Sequence, residues 1–150
     1  RDVLGSRGLG DVYKRQMKEI KKMRKEEFKK LNDGTAFWKT GYHVIISCNY
    51  IQTWEQLAEA LGNAFQFPMR NEGFDGTWDW LTDLSWLGKQ PRISIYFYES
   101  EKLLKGDRKL KEEVLNFFEE LIEFWRDEEN IGFIDGEKGK TKDFRVYLVD

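Results

Sequence analysis

Three short apolar runs divide the chain and predict three buried strands. They cover residues 44–48, 93–98 and 144–149, and nearly every position in them is apolar, β-branched or aromatic. Such runs are typical of strands that are covered on both faces, as in parallel sheets. We therefore expect a small three-stranded sheet in the interior.

Stretches with helical spacing separate these runs. Thr53 followed by Gln56 is a capping-box pattern that marks a helix start. Apolar residues follow it at helical spacing, namely Trp54, Leu57, Ala58, Leu61 and Phe65. Two more helices are expected, over residues 75–84 and 109–126. Because helices between parallel strands act as crossovers, the pattern predicts an α/β fold with helices packed mainly on one side.

The first 41 residues differ from the rest. Residues 6–16 resemble the in-frame translation of a sequencing adaptor, so we interpret residues 1–16 as a non-native leader that makes no persistent contacts with the domain. Residues 17–41 form a basic arm or short helix, with seven Lys or Arg and three Glu between residues 18 and 30. This arm could contact nucleic acid, serve as a solvated lead-in or fold back onto an acidic surface. We favour the solvated lead-in.

Composition narrows the classes of function. The leader holds four basic and two acidic residues, so excluding it moves the net charge from −2 to −4, which gives no case for nucleic acid or an anionic membrane as partner. No apolar run approaches the roughly twenty residues of a membrane span, and no signal-peptide pattern is present, so we expect a cytoplasmic protein. We interpret Cys48 as a small buried apolar residue. His43 has no second His or Cys at the spacing of metal ligands. No metal or cofactor is expected.

Catalytic motifs are absent from the sequence. We find no phosphate-binding glycine loop, nucleophile elbow or metal motif. A hydrolase built from carboxylates alone would draw on Asp75, Asp79, Asp83 and Glu120. Catalytic acids, however, need a desolvated carboxyl group, which a solvent-facing helix does not provide. We expect no enzyme.

The segment between Arg70 and Lys89 contains no basic residue. On a continuous helix, Asp75, Asp79 and Asp83 would line one face, and we call these three residues the acidic ridge. Like charges at this spacing repel, so a helix selected only for stability tends to avoid them. The ridge, flanked by tryptophans, therefore predicts a surface for a basic partner.

The same segment carries a family resemblance. Residues 74–87 read Phe-Asp-Gly-Thr-Trp-Asp-Trp-Leu-Thr-Asp-Leu-Ser-Trp-Leu, which resembles the second-helix motif of the barstar family, intracellular inhibitors of barnase-type ribonucleases. The element order over residues 42–150 also resembles that family, so these residues are expected to form a barstar-like domain. The resemblance implies an inhibitor that lays its acidic helix and the preceding loop across the cleft of a basic extracellular-type or toxin ribonuclease, as a monomer in a 1:1 complex. Toxin immunity is the implied role.

The physical chemistry of this role is simple. A ribonuclease must hold RNA phosphates, so its cleft is lined with cationic side chains. Carboxylates can take the phosphate positions, and bidentate bonds to arginine add geometry to charge.

The resemblance also assigns roles to individual residues. Asp79 matches the central acid, which enters the basic pocket most deeply, and Asp75 matches a second contacting carboxylate. Trp78 matches an aromatic at the interface edge, Thr82 a polar contact at the helix end, and Glu120 an outlying acid that pairs with an enzyme arginine. Structural alternatives stay open: Asp75 could only cap its helix, Trp78 could belong to the core, and Glu120 could be one of several solvated acids.

Several positions depart from the family pattern. Met69 stands where the best-known member has a loop tyrosine, and Gly73 where it has an asparagine. Gly76 replaces an alanine, which costs about 1 kcal/mol in helix propensity. Trp80 replaces a buried cysteine, so the local core must be repacked. Asp83 adds an acid seen in some relatives.

Met69, Gly73 and Asp83 complete the predicted partner-binding set. Because the loop departs from the family more than the scaffold does, the cognate nuclease need not be barnase. The alternative is a non-inhibitory interaction module that binds another basic protein through the same scaffold.

Overall fold

A parallel sheet of four strands lies at the centre of the part of the chain that the structure describes. The computed structural model describes residues 17–34, 40–70, 73–134 and 136–150. The strands, in chain order, are β1 (Lys21–Met23), β2 (Tyr42–Ser47), β3 (Arg92–Tyr98), β4 (Phe133–Ile134), β5 (Glu137–Lys138) and β6 (Asp143–Val149). The central sheet has the order β1-β6-β3-β2 with every neighbouring pair parallel, and β4 and β5 form a separate antiparallel pair. The predicted leader, residues 1–16, lies outside the described residues.

The described residues include four α-helices. They are α1 (Lys25–Asp33), α2 (Trp54–Phe65), α3 (Phe74–Leu81) and α4 (Arg108–Arg126). The capping box predicted for α2 is confirmed, since Thr53 Oγ1 accepts from the Gln56 backbone N–H at 3.2 Å while Gln56 Oε1 accepts from the Thr53 backbone N–H at 3.1 Å. Asp107 caps α4 by accepting from the Leu110 N–H at 3.1 Å. The predicted long helix over residues 109–126 is also confirmed.

The main core lies on one face of the sheet. Alternate residues of β2, β3 and β6 point to that face and pack against the apolar sides of α2, α3 and α4. The opposite face carries a smaller cluster in which Phe28 of α1 packs on Tyr96 and Val149. The α/β prediction, with helices mainly on one side of a parallel sheet, is therefore confirmed.

The sheet has a fourth strand that the sequence analysis missed. β1 pairs with β6 in the register Lys21–Tyr147 to Met23–Val149, so part of the basic arm extends the sheet. A carboxylate of α4 holds the chain just before this strand. Glu119 is 2% exposed and accepts hydrogen bonds of 2.6–3.1 Å from the backbone N–H groups of residues 18, 19 and 20. Charge-assisted bonds of this kind are stronger than neutral ones, so this part of the arm is docked on the domain.

None of the described helices combines the length and the apolar character that a membrane span requires.

Candidate functional site

Helix α3 presents two carboxylates on its exposed side. Asp75 and Asp79 are both exposed and lie one turn apart, whereas Thr77, Trp78 and Leu81 are buried. This division follows from helical spacing, because the apolar positions face the sheet. Asp75 lies in the first turn, where the positive end of the helix dipole favours a negative charge.

The charge of these carboxylates is not neutralised by the described part of the chain. No lysine or arginine there forms a salt bridge with Asp75, Asp79 or Asp83; the ion pairs of the described residues lie elsewhere. Asp75 and Asp79 also repel each other, because like charges four residues apart on a helix are neighbours. A cation from another molecule would relieve this repulsion.

The third member of the acidic ridge lies beyond the helix. The sequence prediction that this helix continues to Leu84 is wrong: α3 ends at Leu81, Thr82 follows with φ −95° and ψ 1°, and Leu84 adopts the left-handed conformation (φ 56°) before a short 3₁₀ turn. Asp83 is exposed and accepts a hydrogen bond from the Ser85 backbone N–H at 3.2 Å. The acidic ridge therefore consists of two carboxylates on the helix and one in the turn after it.

The two other α3 residues of the predicted site make internal contacts. Trp78 is only 3% exposed, and its ring packs edge-on against Phe117 and Phe124 with centroid distances of 5.3 and 5.9 Å. Of the two roles that the sequence left open for Trp78, the structure therefore shows the core role. Thr82 is half-buried, and its hydroxyl donates to the Trp78 carbonyl oxygen at 2.8 Å.

Glu120 lies on the side of α4 that faces α3. Phe117 and Phe124 flank it at positions that share a helix face, and both rings contact Trp78 of α3. Sequence analysis missed a second acid on this face, Glu113, which lies seven residues before Glu120. Burial raises the pKa of the Glu113 carboxyl group, and the nearby charge of Asp107 adds to the effect. The sequence signal for Glu113 was its spacing, because residues seven positions apart on a helix lie on the same face.

The loop before α3 is the second part of the candidate site. Met69 is 70% exposed and Gly73 is exposed. A surface pocket of about 290 Å³ lies between α2 and this loop, with Gly62 of α2 and Phe67 and Met69 of the loop among its walls. The loop thus offers an apolar side chain and a concave surface beside α2.

Other reactive residues are poorly placed for chemistry. Cys48 is completely buried, and burial raises the pKa of its thiol to about 12, which keeps it protonated at neutral pH. In the described ranges no group of His, Cys, Asp or Glu side chains is arranged to hold a metal ion.

The comparison with models of protein families gives a match. The family model described as Barstar (barnase inhibitor) matches residues 42–147, well over half of the chain. The curated proteins and the solved structures gave no significant match. The matched range contains the loop, α3 and α4, and hence every residue of the candidate site.

Proposed function

Since this chain belongs to the barstar family of barnase inhibitors, we propose that it binds a basic ribonuclease in a 1:1 complex and occludes its active site. The acidic ridge and the loop that carries Met69 form the contact surface. We further propose that the partner is a toxin ribonuclease and that the protein confers immunity to it in the cytoplasm.

One observation carries this proposal: Asp75 and Asp79 are exposed, adjacent and free of salt bridges to the described residues. A ribonuclease cleft lined with Arg, Lys and His offers the missing cations. Charge pairs that lose their water on binding are favourable when both partners are held in place and hydrogen-bonded. Complementary charge also speeds the encounter of the two proteins at low salt.

The proposed roles of the side chains are those that the family resemblance implies. Asp79 is proposed as the central contact and Asp75 as its neighbour, each bonded to a basic side chain of the enzyme. Asp83, Thr82 and Glu120 would bind at the periphery, where contacts are wetter and contribute less. Met69 and Gly73 would contribute the loop contacts, and Trp78 supports α3 from the core.

Residual RNA cleavage is the decisive measurement. The purified protein is mixed with a panel of ribonucleases that begins with barnase and includes colicin-type enzymes. We expect stoichiometric inhibition of at least one enzyme and a marked loss of inhibition by the Asp79→Ala variant. Glu26→Gln is a matched control, because Glu26 is an exposed acid on α1, on the opposite face of the sheet. Equal inhibition by Asp79→Ala would overturn the assigned site.

The loop favours a second candidate, a non-inhibitory module that binds another basic protein. Met69 is 70% exposed and stands where the best-known member of the family has a tyrosine. Capture experiments separate the two candidates: an inhibitor retains a nuclease that loses activity in the complex, whereas the module retains a basic protein and inhibits no panel enzyme.

A further inference from the structure

The start of the loop that carries Met69 is held at two points. α2 ends at Phe65, Gln66 adopts the left-handed conformation (φ 56°), and the Phe67 N–H donates to the Gly62 carbonyl oxygen at 2.9 Å. From the other side, Trp86 Nε1 donates to the Phe65 carbonyl oxygen at 2.8 Å. The backbone of residues 65–67 is thereby connected to the segment after α3.

Three aromatic rings strengthen this connection. Phe67, Trp80 and Trp86, which we call the aromatic triad, contact one another in every pairing. The ring centroid of Phe67 lies 6.3 Å from that of Trp80 and 6.1 Å from that of Trp86. The two indoles pack edge-on, with their ring centroids 5.4 Å apart. Edge-on and tilted contacts at these distances are the favourable geometries for aromatic pairs.

The Phe67 ring also packs closely against the backbone of α2, which leaves little space for the loop to move. A Cβ at Gly62 would lie 3.3 Å from Phe67 Cδ2, so the ring rests against the bare backbone of α2. Phe67 is therefore held between α2 on one side and the two indoles on the other. Displacement of the loop would break both sets of contacts.

The triad joins the two halves of the proposed contact surface. Trp80 directly follows Asp79 in α3, and Phe67 precedes Met69 by two residues. The distance between the central carboxylate and the loop methionine consequently depends on the packing of Phe67 against Trp80. A partner that contacts both parts of the surface would sense any change in this packing.

We propose that Trp80 is a positioning residue that fixes the Met69 loop relative to Asp79 and thereby selects the ribonucleases that fit. The inference rests on the proposed function and deepens it. Trp80 acts through Phe67, so its effect on binding passes through the loop and leaves the charges of the surface unchanged.

A double-mutant cycle tests the coupling, with barnase or the panel enzyme inhibited most strongly as the probe. Trp80→Ala should raise Kd about tenfold through faster dissociation, while the association rate at low salt stays unchanged because the carboxylates remain. Met69→Ala should raise Kd about threefold alone and add almost nothing in the Trp80→Ala background, because the loop is already released. Trp80→Phe, which keeps a ring, should restore most of the affinity.

Glu120→Ala provides the comparison pair, since its effect should multiply with that of Trp80→Ala. Multiplicative effects of Trp80→Ala and Met69→Ala, or a Kd that Trp80→Ala leaves unchanged, would overturn the inference. If Asp79→Ala still loses inhibition in the same assay, the proposed ribonuclease inhibition is supported even though the positioning role of Trp80 is refuted.

Hydrogen exchange tests the positioning without any partner. The Phe67 amide, bonded to the Gly62 carbonyl oxygen, should exchange at least about tenfold faster in Trp80→Ala, while the Leu121 amide in α4 is unaffected. Trp86→Phe gives a second test of the triad if Trp80→Ala does not fold, because it removes the Nε1–H donor and part of the indole but keeps an aromatic ring. Unchanged exchange at Phe67 in the folded variants would refute the positioning role whether or not a ribonuclease is bound.

Discussion

Trp125 Nε1 donates a 2.9 Å hydrogen bond to the carbonyl oxygen of Leu81, the last residue of α3. The last carbonyl groups of a helix have no partner within the helix, so this indole satisfies one of them from α4. Trp125 is 3% exposed and Leu81 is fully buried, so water cannot easily replace the bond. The end of the acidic helix is therefore fixed by the long helix beside it.

Trp125→Phe should lower the free energy of unfolding by at least about 1–3 kcal/mol, because a buried carbonyl oxygen loses its donor and the smaller ring leaves space in the core. Urea unfolding measures the change. Tyr50→Phe serves as a control, since Tyr50 is 80% exposed and its substitution should change stability by less than about 0.5 kcal/mol. Equal unfolding midpoints for Trp125→Phe and the parent would show that the bond contributes nothing.

Asp79→Asn should affect stability and binding in opposite directions. Removing one of two like charges spaced four residues apart should stabilise the free protein by about 0.2–0.5 kcal/mol. The same change should weaken ribonuclease binding by about 2–5 kcal/mol, because a desolvated cation of the enzyme loses its partner. Thermal unfolding and titration calorimetry measure the two effects. A variant that is less stable than the parent and binds equally well would contradict both expectations.

Glu119→Gln should loosen the attachment of β1. A neutral amide accepts fewer and weaker bonds from the three backbone N–H groups, so we expect a loss of about 1–3 kcal/mol. Hydrogen exchange should become faster at Lys21–Met23 and stay unchanged in β3. Glu128→Gln, an exposed acid after α4, is the matched control. Equal protection of β1 in Glu119→Gln and the parent would show that strand pairing alone holds the arm.

The free energy of unfolding should decrease as the pH rises through the range in which the Glu113 carboxyl group loses its proton. Because its pKa in the folded protein lies above the ordinary value of 4.5, the folded state binds more protons than the unfolded state in this window. Ionised Glu113 therefore opposes folding at neutral pH, and Glu113→Gln should be more stable than the parent there. The difference should vanish below the ordinary pKa. Urea unfolding at pH 3 and pH 7 measures it, and a constant difference would exclude the titration as its cause.

The apolar patterns were sufficient for most of the fold. The buried runs of β2, β3 and β6 and the capping box at Thr53 are local signals whose physical causes lie within a few residues. β1 has no such signal, because two of its three residues are exposed lysines and it is held by backbone pairing with β6 and by the distant Glu119. Edge strands held by long-range bonds are hard to identify from local sequence.

The candidate site was partly predictable for similar reasons. Helical spacing correctly predicted that Asp75 and Asp79 are exposed, since the buried residues of α3 lie on a different side of the helix. The early end of α3 and the turn after it were missed, because a leucine such as the buried Leu84 rarely adopts the left-handed conformation. Spacing alone also left the role of Trp78 open, and the decisive contacts with Phe117 and Phe124 come from another helix.

The strand order has a consequence for biosynthesis. Among the described strands β6 comes last along the chain, yet it lies inside the sheet, bonded to β1 on one side and to β3 on the other. During translation, neither neighbour can complete its pairing until β6 has left the ribosome tunnel. The nascent chain therefore exposes two unpaired strand edges until synthesis reaches that point, and unpaired edges of this kind are prone to aggregation.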